Sequence, residues 1–228
     1  MVYFFDLDGT LLDSNGVWLD LDIDFLQSRG ISPVPQEYTD YVTHHSFPEA
    51  AVYTREQFSL PESPEEIIAQ WKRMAWGAYS TALDLKPGAK DLLRHLRARG
   101  ERLFLLTSCM PELCQAALER HGLAGLLDGV LTTQGMGLDK KNPQLYRAAA
   151  EACGAAVETC LFFDDTPDYC QAARDAGMET VGVWDALFAH REEEMRELCH
   201  HYIMEWAEWN YGTWKTPVKL RIRRRSSE

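Results

Sequence analysis

Five short apolar runs punctuate the chain, at residues 2–5, 102–107, 129–132, 159–163 and 179–183. Each is rich in leucine, β-branched or aromatic side chains, the composition of strands buried on both faces. Stretches of helical periodicity follow them at 89–99, 111–121, 143–153 and 167–176, and a longer helix is predicted from 187 to 209. Gly100, Gly122 and Gly177 stand just past three of these stretches, where a helix commonly ends in a left-handed residue. Such alternation predicts an α/β core with a parallel sheet.

The alternation breaks once. From 14 to 85 there is no strong strand run, yet the segment is far too long for a loop. Ile67, Trp71, Met74, Ala75 and Ala78 form an apolar stripe at helical spacing. Residues 17–29, closed by Gly30, fit two patterns. Leu19, Leu21, Ile23 and Phe25 alternate as in a strand, whereas Trp18, Leu21, Asp22 and Phe25 share a helical face; we read a helix. The segment is a helical insertion, and Lys86-Pro87-Gly88 marks the return to the core.

Chemistry gathers where the apolar runs stop. The first ends in Asp6-Leu7-Asp8-Gly9-Thr10, which puts two carboxyls on one side of a strand tip, where open α/β sheets bind ligands. One can serve as nucleophile or metal ligand and the other as acid and base. The second ends in Thr107-Ser108, whose hydroxyls and backbone N–H groups can hold a phosphate oxygen. Lys140 precedes a helix entered at Asn142-Pro143 and can neutralise a phosphate and a carboxylate together. The fourth run ends in Asp164-Asp165, suited to a hard cation. Each alone is a capped turn, a surface lysine or a helix-start acid pair. Together, in this order, they serve phosphoryl transfer.

In Asp6-Leu-Asp-Gly-Thr10, Thr107-Ser108, Lys140 and Asp164-Asp165, the chain resembles the haloacid dehalogenase superfamily. The pattern Ala172-Ala-Arg-Asp-Ala-Gly-Met178 extends that resemblance over most of the chain. It implies a Rossmann-like core, 1–13 with 86–228, and a helical cap domain at 14–85 inserted after the first strand. It further implies that Asp6 attacks phosphorus while Asp8 protonates the leaving group and then activates water. Thr107, Ser108, Gly9 and Lys140 would hold the phosphate. Mg²⁺ would be bound by Asp6, the Asp8 backbone carbonyl and Asp165, with Asp164 ranked behind Asp165. Dehalogenases of the superfamily lack the second carboxyl of the first motif, so Asp8 favours a phosphatase acting on a small phosphorylated metabolite. A phosphosugar mutase, or a non-catalytic binding protein on the same fold, is the alternative. Arg55, in Val52-Tyr-Thr-Arg-Glu56, resembles the cap arginine that grips a second phosphate in the beta-phosphoglucomutase branch, with a solvated surface arginine as the plainer reading. His44, His45 and Lys72 are further polar candidates in the cap. Trp206, Trp209, Tyr211 and Trp214 read as packing aromatics rather than a binding platform.

Composition narrows the class. With 228 residues, 46% hydrophobic and 25% charged, the chain is an ordinary globular sequence. No apolar run approaches the ~18–20 residues that cross a bilayer, and the acidic start is no signal peptide. Six cysteines without a CxxC pair read as reduced thiols of a cytoplasmic protein, with Cys109 a candidate reactive thiol beside the site. A net charge of −12 argues against nucleic-acid or anionic-membrane binding. The segment 215–228 is basic and reads as a solvated tail. A monomer or homodimer is expected.

Overall fold

The computed structural model describes residues 1–43 and 45–209. Strand β1 (Val2–Phe5) is followed by α1 (Asn15–Gln27), α2 (Gln36–Thr43), α3 (Phe47–Phe58) and α4 (Pro64–Gly77), the last running into a π-helical turn, Ala78–Ala82. Then come α5 (Ala89–Ala98), β2 (Arg102–Thr107), α6 (Pro111–His121), β3 (Gly129–Thr132), the single turn α7 (Thr133–Met136) and α8 (Pro143–Ala152). The described residues end with β4 (Cys160–Asp164), α9 (Pro167–Ala176), β5 (Glu179–Val183), α10 (Glu192–Leu198) and β6 (His201–Ile203).

Among the described residues six strands form one parallel sheet, in the order β3-β2-β1-β4-β5-β6. Side chains of β1 alternate between faces: Tyr3 and Phe5 enter one apolar cluster with Leu105 and Phe163, Val2 and Phe4 the other with Leu106 and Phe162. Both faces are covered, which is why these runs read as continuously apolar. Strand order reverses at β1, so the crevice for a ligand lies at its carboxyl tip.

The insertion is a helical cap with its own apolar cluster, centred on Phe25, Leu26, Tyr38, Ala51, Ile67 and Trp71. Two of its helices start at capping boxes: Ser46 with Glu49, and Ser63 with Glu66, each followed by proline in the first turn. Its two links to the core run side by side. Leu12 bridges Leu85, Asp13 N donates to Asp84 O at 3.0 Å, and Lys86 N donates to Leu11 O at 2.9 Å.

The long helix expected at 187–209 is not formed. The segment holds a 3₁₀ turn at Ala189–Arg191, then α10, then β6 paired with β5, then a second 3₁₀ turn at Trp206–Glu208. Its apolar spacing comes from separate elements that cover the sheet. Met195 and Cys199 pack with Cys170, while Trp206 and Trp209 lie against Phe163 at 5.6 and 5.0 Å between ring centroids. These two tryptophans pack in the core, as their sequence context suggests; Tyr211, Trp214, the basic segment and His44 lie outside the described residues. No described helix is long and apolar enough to cross a membrane.

Candidate active site

The paired tips of β1 and β4 bring three carboxyls together, because Phe5 is in register with Phe163 and the acids follow directly. Oxygens of Asp6, Asp164 and Asp165 lie within 4.8 Å of one another, and all three residues are buried. Lys140, only 1% exposed, places Nζ 2.6 Å from Asp6 Oδ1 and 2.8 Å from Asp164 Oδ2. Its loop is fixed by Tyr146 Oη, which donates to Lys140 O at 2.8 Å. Asp165 accepts from Thr10 Oγ1 at 3.0 Å and Asn15 Nδ2 at 2.8 Å. Gly9, at φ +73°, has no room for a side chain: a Cβ would collide with Asn15 and the Asp165 carboxylate.

Charge in this cluster is unbalanced. Burial pulls the Lys140 ammonium down, but the carboxylates of Asp164 and Asp6 outweigh it and raise its pKa above the lysine range. Burial pushes Asp164 up to about 6 against the pull of Lys140. Asp165 is pushed far above the carboxylate range by burial and by the charges of Asp164 and Asp6. Three buried carboxyls facing one ammonium form a set of hard oxygen donors with excess negative charge, the chemistry of a divalent-cation site.

Asp8 sits beside this cluster, held by groups from both ends of the cap. Ser14 Oγ donates to Asp8 Oδ1 at 2.7 Å, and the Tyr79 hydroxyl donates to the same oxygen. Trp18 Nε1 donates in turn to Tyr79 Oη at 2.7 Å. Burial raises the Asp8 carboxyl, the Tyr79 and Ser14 hydrogen bonds oppose, and the charge of Asp6 adds to the rise. A carboxyl displaced upward is suited to hold and release a proton. Thr107 is buried and its Oγ1 accepts from Cys109 N at 3.0 Å, while Ser108 is exposed on the cavity wall. Cys109 is buried, and burial with the nearby Asp8 pushes its thiol well up, so it lacks the thiolate character of a reactive cysteine.

A cavity of about 830 Å³ opens above these groups, between the strand tips and the cap. Asp6, Asp8, Thr107, Ser108, Lys140 and Asp165 line its floor. The structure does not bring Arg55 there. It is exposed in the last turn of α3, whose inward face is Ala50, Ala51 and Thr54, and it is absent from the cavity wall. His45 and Lys72 do line the cavity; Nδ1 of His45 is 2.7 Å from Tyr41 O, and Lys72 pairs with Glu112 of α6, joining cap to core. Sequence reasoning missed Ser14, Asn15, Trp18, Tyr79 and, in the cap wall, Asp22. The one local signal was the acid-to-hydroxyl spacing of Asp8 and Ser14.

The sequence model of haloacid dehalogenase-like hydrolases matches residues 1–177. Over 113 residues the chain is 39% identical to Phosphatase MT3486 of Mycobacterium tuberculosis, a match covering 49% of this chain and 52% of that protein. It is 30% identical over 186 residues to the GMP/IMP nucleotidase YrfG of Escherichia coli, covering 76% of this chain and 81% of that one. Among solved structures, CbbY from Rhodobacter sphaeroides in complex with phosphate superposes with a TM-score of 0.79 at 18% identity, covering 91% and 95% of the two chains, a likeness of fold.

Proposed function

Because the chain belongs to the haloacid dehalogenase-like hydrolase family, we propose that it hydrolyses a small phosphate monoester through a phosphoryl intermediate on Asp6. The observation that carries this reading is the buried Asp6–Lys140 contact of 2.6 Å at the cavity floor, with Asp8 at its side. Asp6 is the nucleophile, and Lys140 orients it while offsetting the like charge of an approaching phosphate. Asp8 gives its proton to the leaving oxygen and then takes one from the attacking water. Thr107 and Ser108 hold phosphate oxygens. Asp6, Asp165, the Asp8 carbonyl and Asp164 would hold Mg²⁺. When bound, that ion supplies charge neutralisation for the transferring phosphoryl group.

Arg55 lies outside the cavity wall, which favours a substrate with one phosphate over the bisphosphate chemistry of a mutase. The nucleotidase relative makes nucleoside monophosphates the first substrates to assay. Phosphate release from p-nitrophenyl phosphate with Mg²⁺ tests the reaction. Asp6→Asn should remove turnover with an unchanged circular dichroism spectrum, Asp8→Asn should slow it, and excess chelator should stop it. Near-normal release by Asp6→Asn overturns the mechanism.

A further inference from the structure

Helix α1 carries one side of the cavity wall from the catalytic floor to the cap. Asn15, Trp18, Leu19 and Asp22 follow one another at helical spacing, so they share a side of the helix, and all four line the cavity. At the lower end Asn15 Nδ2 donates to Asp165 Oδ2 at 2.8 Å. One turn on, Trp18 Nε1 donates to Tyr79 Oη at 2.7 Å. At the upper end Asp22 Oδ1 accepts from Tyr38 Oη at 3.1 Å, and Tyr38 belongs to the apolar cluster of the cap. By the helical rise, Asp22 stands about 10 Å along the axis from the asparagine that touches Asp165. The stripe is a ruler for whatever is attached to a phosphate on the floor.

Charge along that wall has one sign. Among the described residues the cavity is lined by two lysines and no arginine. Lys140 is held by Asp6 and Asp164, and Lys72 is paired with Glu112. His45 gives its Nδ1–H to Tyr41 O. Above the floor the charged side chains left without a cation are acids, Asp22 in the wall and Asp139 at the exposed rim. Asp22 is partly buried, and its Oδ2 has no hydrogen-bond partner among the described residues. That oxygen is not one of the closed-off polar atoms, so it keeps surface to offer a ligand. Burial pushes the carboxyl up to about 7. An acid whose charge burial disfavours, at a place where asparagine would also meet Tyr38, costs stability without an evident structural return. Between it and the floor the wall is apolar, with the Trp18 and Phe47 rings edge to face at 4.8 Å.

We propose that Asp22 selects the leaving group, pairing with a cationic nitrogen that the substrate carries two helical turns above its phosphate, beyond an apolar or ring-bearing middle. The substrate class is then the phosphate monoester of an amine-bearing alcohol or phenol. This rests on the phosphatase reading and adds recognition of the far end of the leaving group to it. A carboxylate or second phosphate at that height meets Asp22 and no free cation, and a neutral end leaves the carboxyl without a counter-charge.

Three aryl phosphates test the proposal: tyramine phosphate, para-propylphenyl phosphate and para-carboxyethylphenyl phosphate. All release a para-alkylphenol, so their intrinsic reactivity is matched and only the charge at the far end differs. Kinetics are read at about pH 8, where both the amine and the Asp22 carboxyl are charged. Wild type should prefer the amine over the propyl ester by about tenfold or more in kcat/KM, with the carboxylate poorest. Asp22→Asn, which keeps the volume and removes the charge, should bring the amine down to the propyl ester, and Asp22→Ala should do the same. Equal kcat/KM for amine and propyl esters in wild type, a carboxylate turned over as well as the amine, or an amine preference that survives in Asp22→Asn overturns the proposal. No turnover of these esters or of p-nitrophenyl phosphate by wild type sinks the phosphatase reading instead. Calorimetric titration with tyramine and para-propylphenol then decides the Asp22 subsite alone. Tighter tyramine binding that is lost in Asp22→Asn supports it, and equal affinity refutes it.

Discussion

Replacing Asp22 by asparagine should stabilise the protein, and by an amount that grows with pH. The carboxyl titrates at about 7 in the fold against an ordinary 3.8, because burial disfavours its charge more than the Tyr38 hydroxyl favours it. The folded state therefore holds this proton more tightly than the unfolded state. Stability from the neutral form is complete below the unfolded pKa and is lost as pH rises to the folded one. At ~1.4 kcal/mol per pKa unit the full shift corresponds to about 4 kcal/mol above pH ~7. Asp22 borders the cavity, so water screens its charge, and about half of that, ~2 kcal/mol, is the expected cost.

Asparagine keeps the volume, never ionises and can donate Nδ2–H to Tyr38, continuing the chain through Thr54 to Ala50. For a chain of this length ~2 kcal/mol corresponds to roughly 4–8 °C in Tm. Thermal unfolding of both proteins at intervals between about pH 5 and pH 8 reads the difference directly, since all other carboxyls titrate in common. The advantage of the amide should widen through pH ~7 and level off above it. A difference that stays flat over this range, or a loss of stability at pH 8, refutes the assignment of a neutral buried acid.

Two further outcomes are expected. Lys140→Met should destabilise the metal-free protein by ~3–5 kcal/mol in urea unfolding, because Asp6 and Asp164 are left buried without their counter-charge; a loss below ~1 kcal/mol contradicts the buried ion-pair network. Tyr79→Phe should lower kcat by about tenfold with little change in KM, since it removes a hydrogen bond that orients Asp8, and unchanged kcat refutes that positioning role.

Much of the core was legible because its signals are local. A strand buried on both faces is a short apolar run, and the motif acids follow such runs directly, so β1, β2, β3 and β5 lie at the ranges read from sequence and β4 is shifted by one residue. β6 was missed because His201–Ile203 is only three residues long at a sheet edge, and the apolar residues around it mimic a helical spacing. Arg55 was singled out on a short local match, but α3 turns its small residues inward and leaves the arginine in solvent. Tyr79 was hidden for the opposite reason. It lies one residue past an apolar stripe and reads as packing, yet its hydroxyl meets Asp8, a residue 71 positions away. Asp22 looked like an ordinary polar position on a helix whose periodicity was itself ambiguous.

The contacts of Asp8 tie chemistry to the cap. One comes from Ser14, where the chain leaves the core, and the other from Tyr79, in the turn by which it returns. The two links are themselves bonded to each other, through Asp13 to Asp84 and Leu11 to Lys86. Trp18 adds a third connection, since its indole bonds Tyr79 while its ring faces Phe47 in the cap wall. The residues that hold the Asp8 carboxyl are therefore the ones that join the cap to the core. The cavity wall at Trp18 and Phe47 is thereby joined to Asp8 through a path of two hydrogen bonds. In the proposed mechanism that path would give leaving-group recognition a physical route to proton transfer at Asp8.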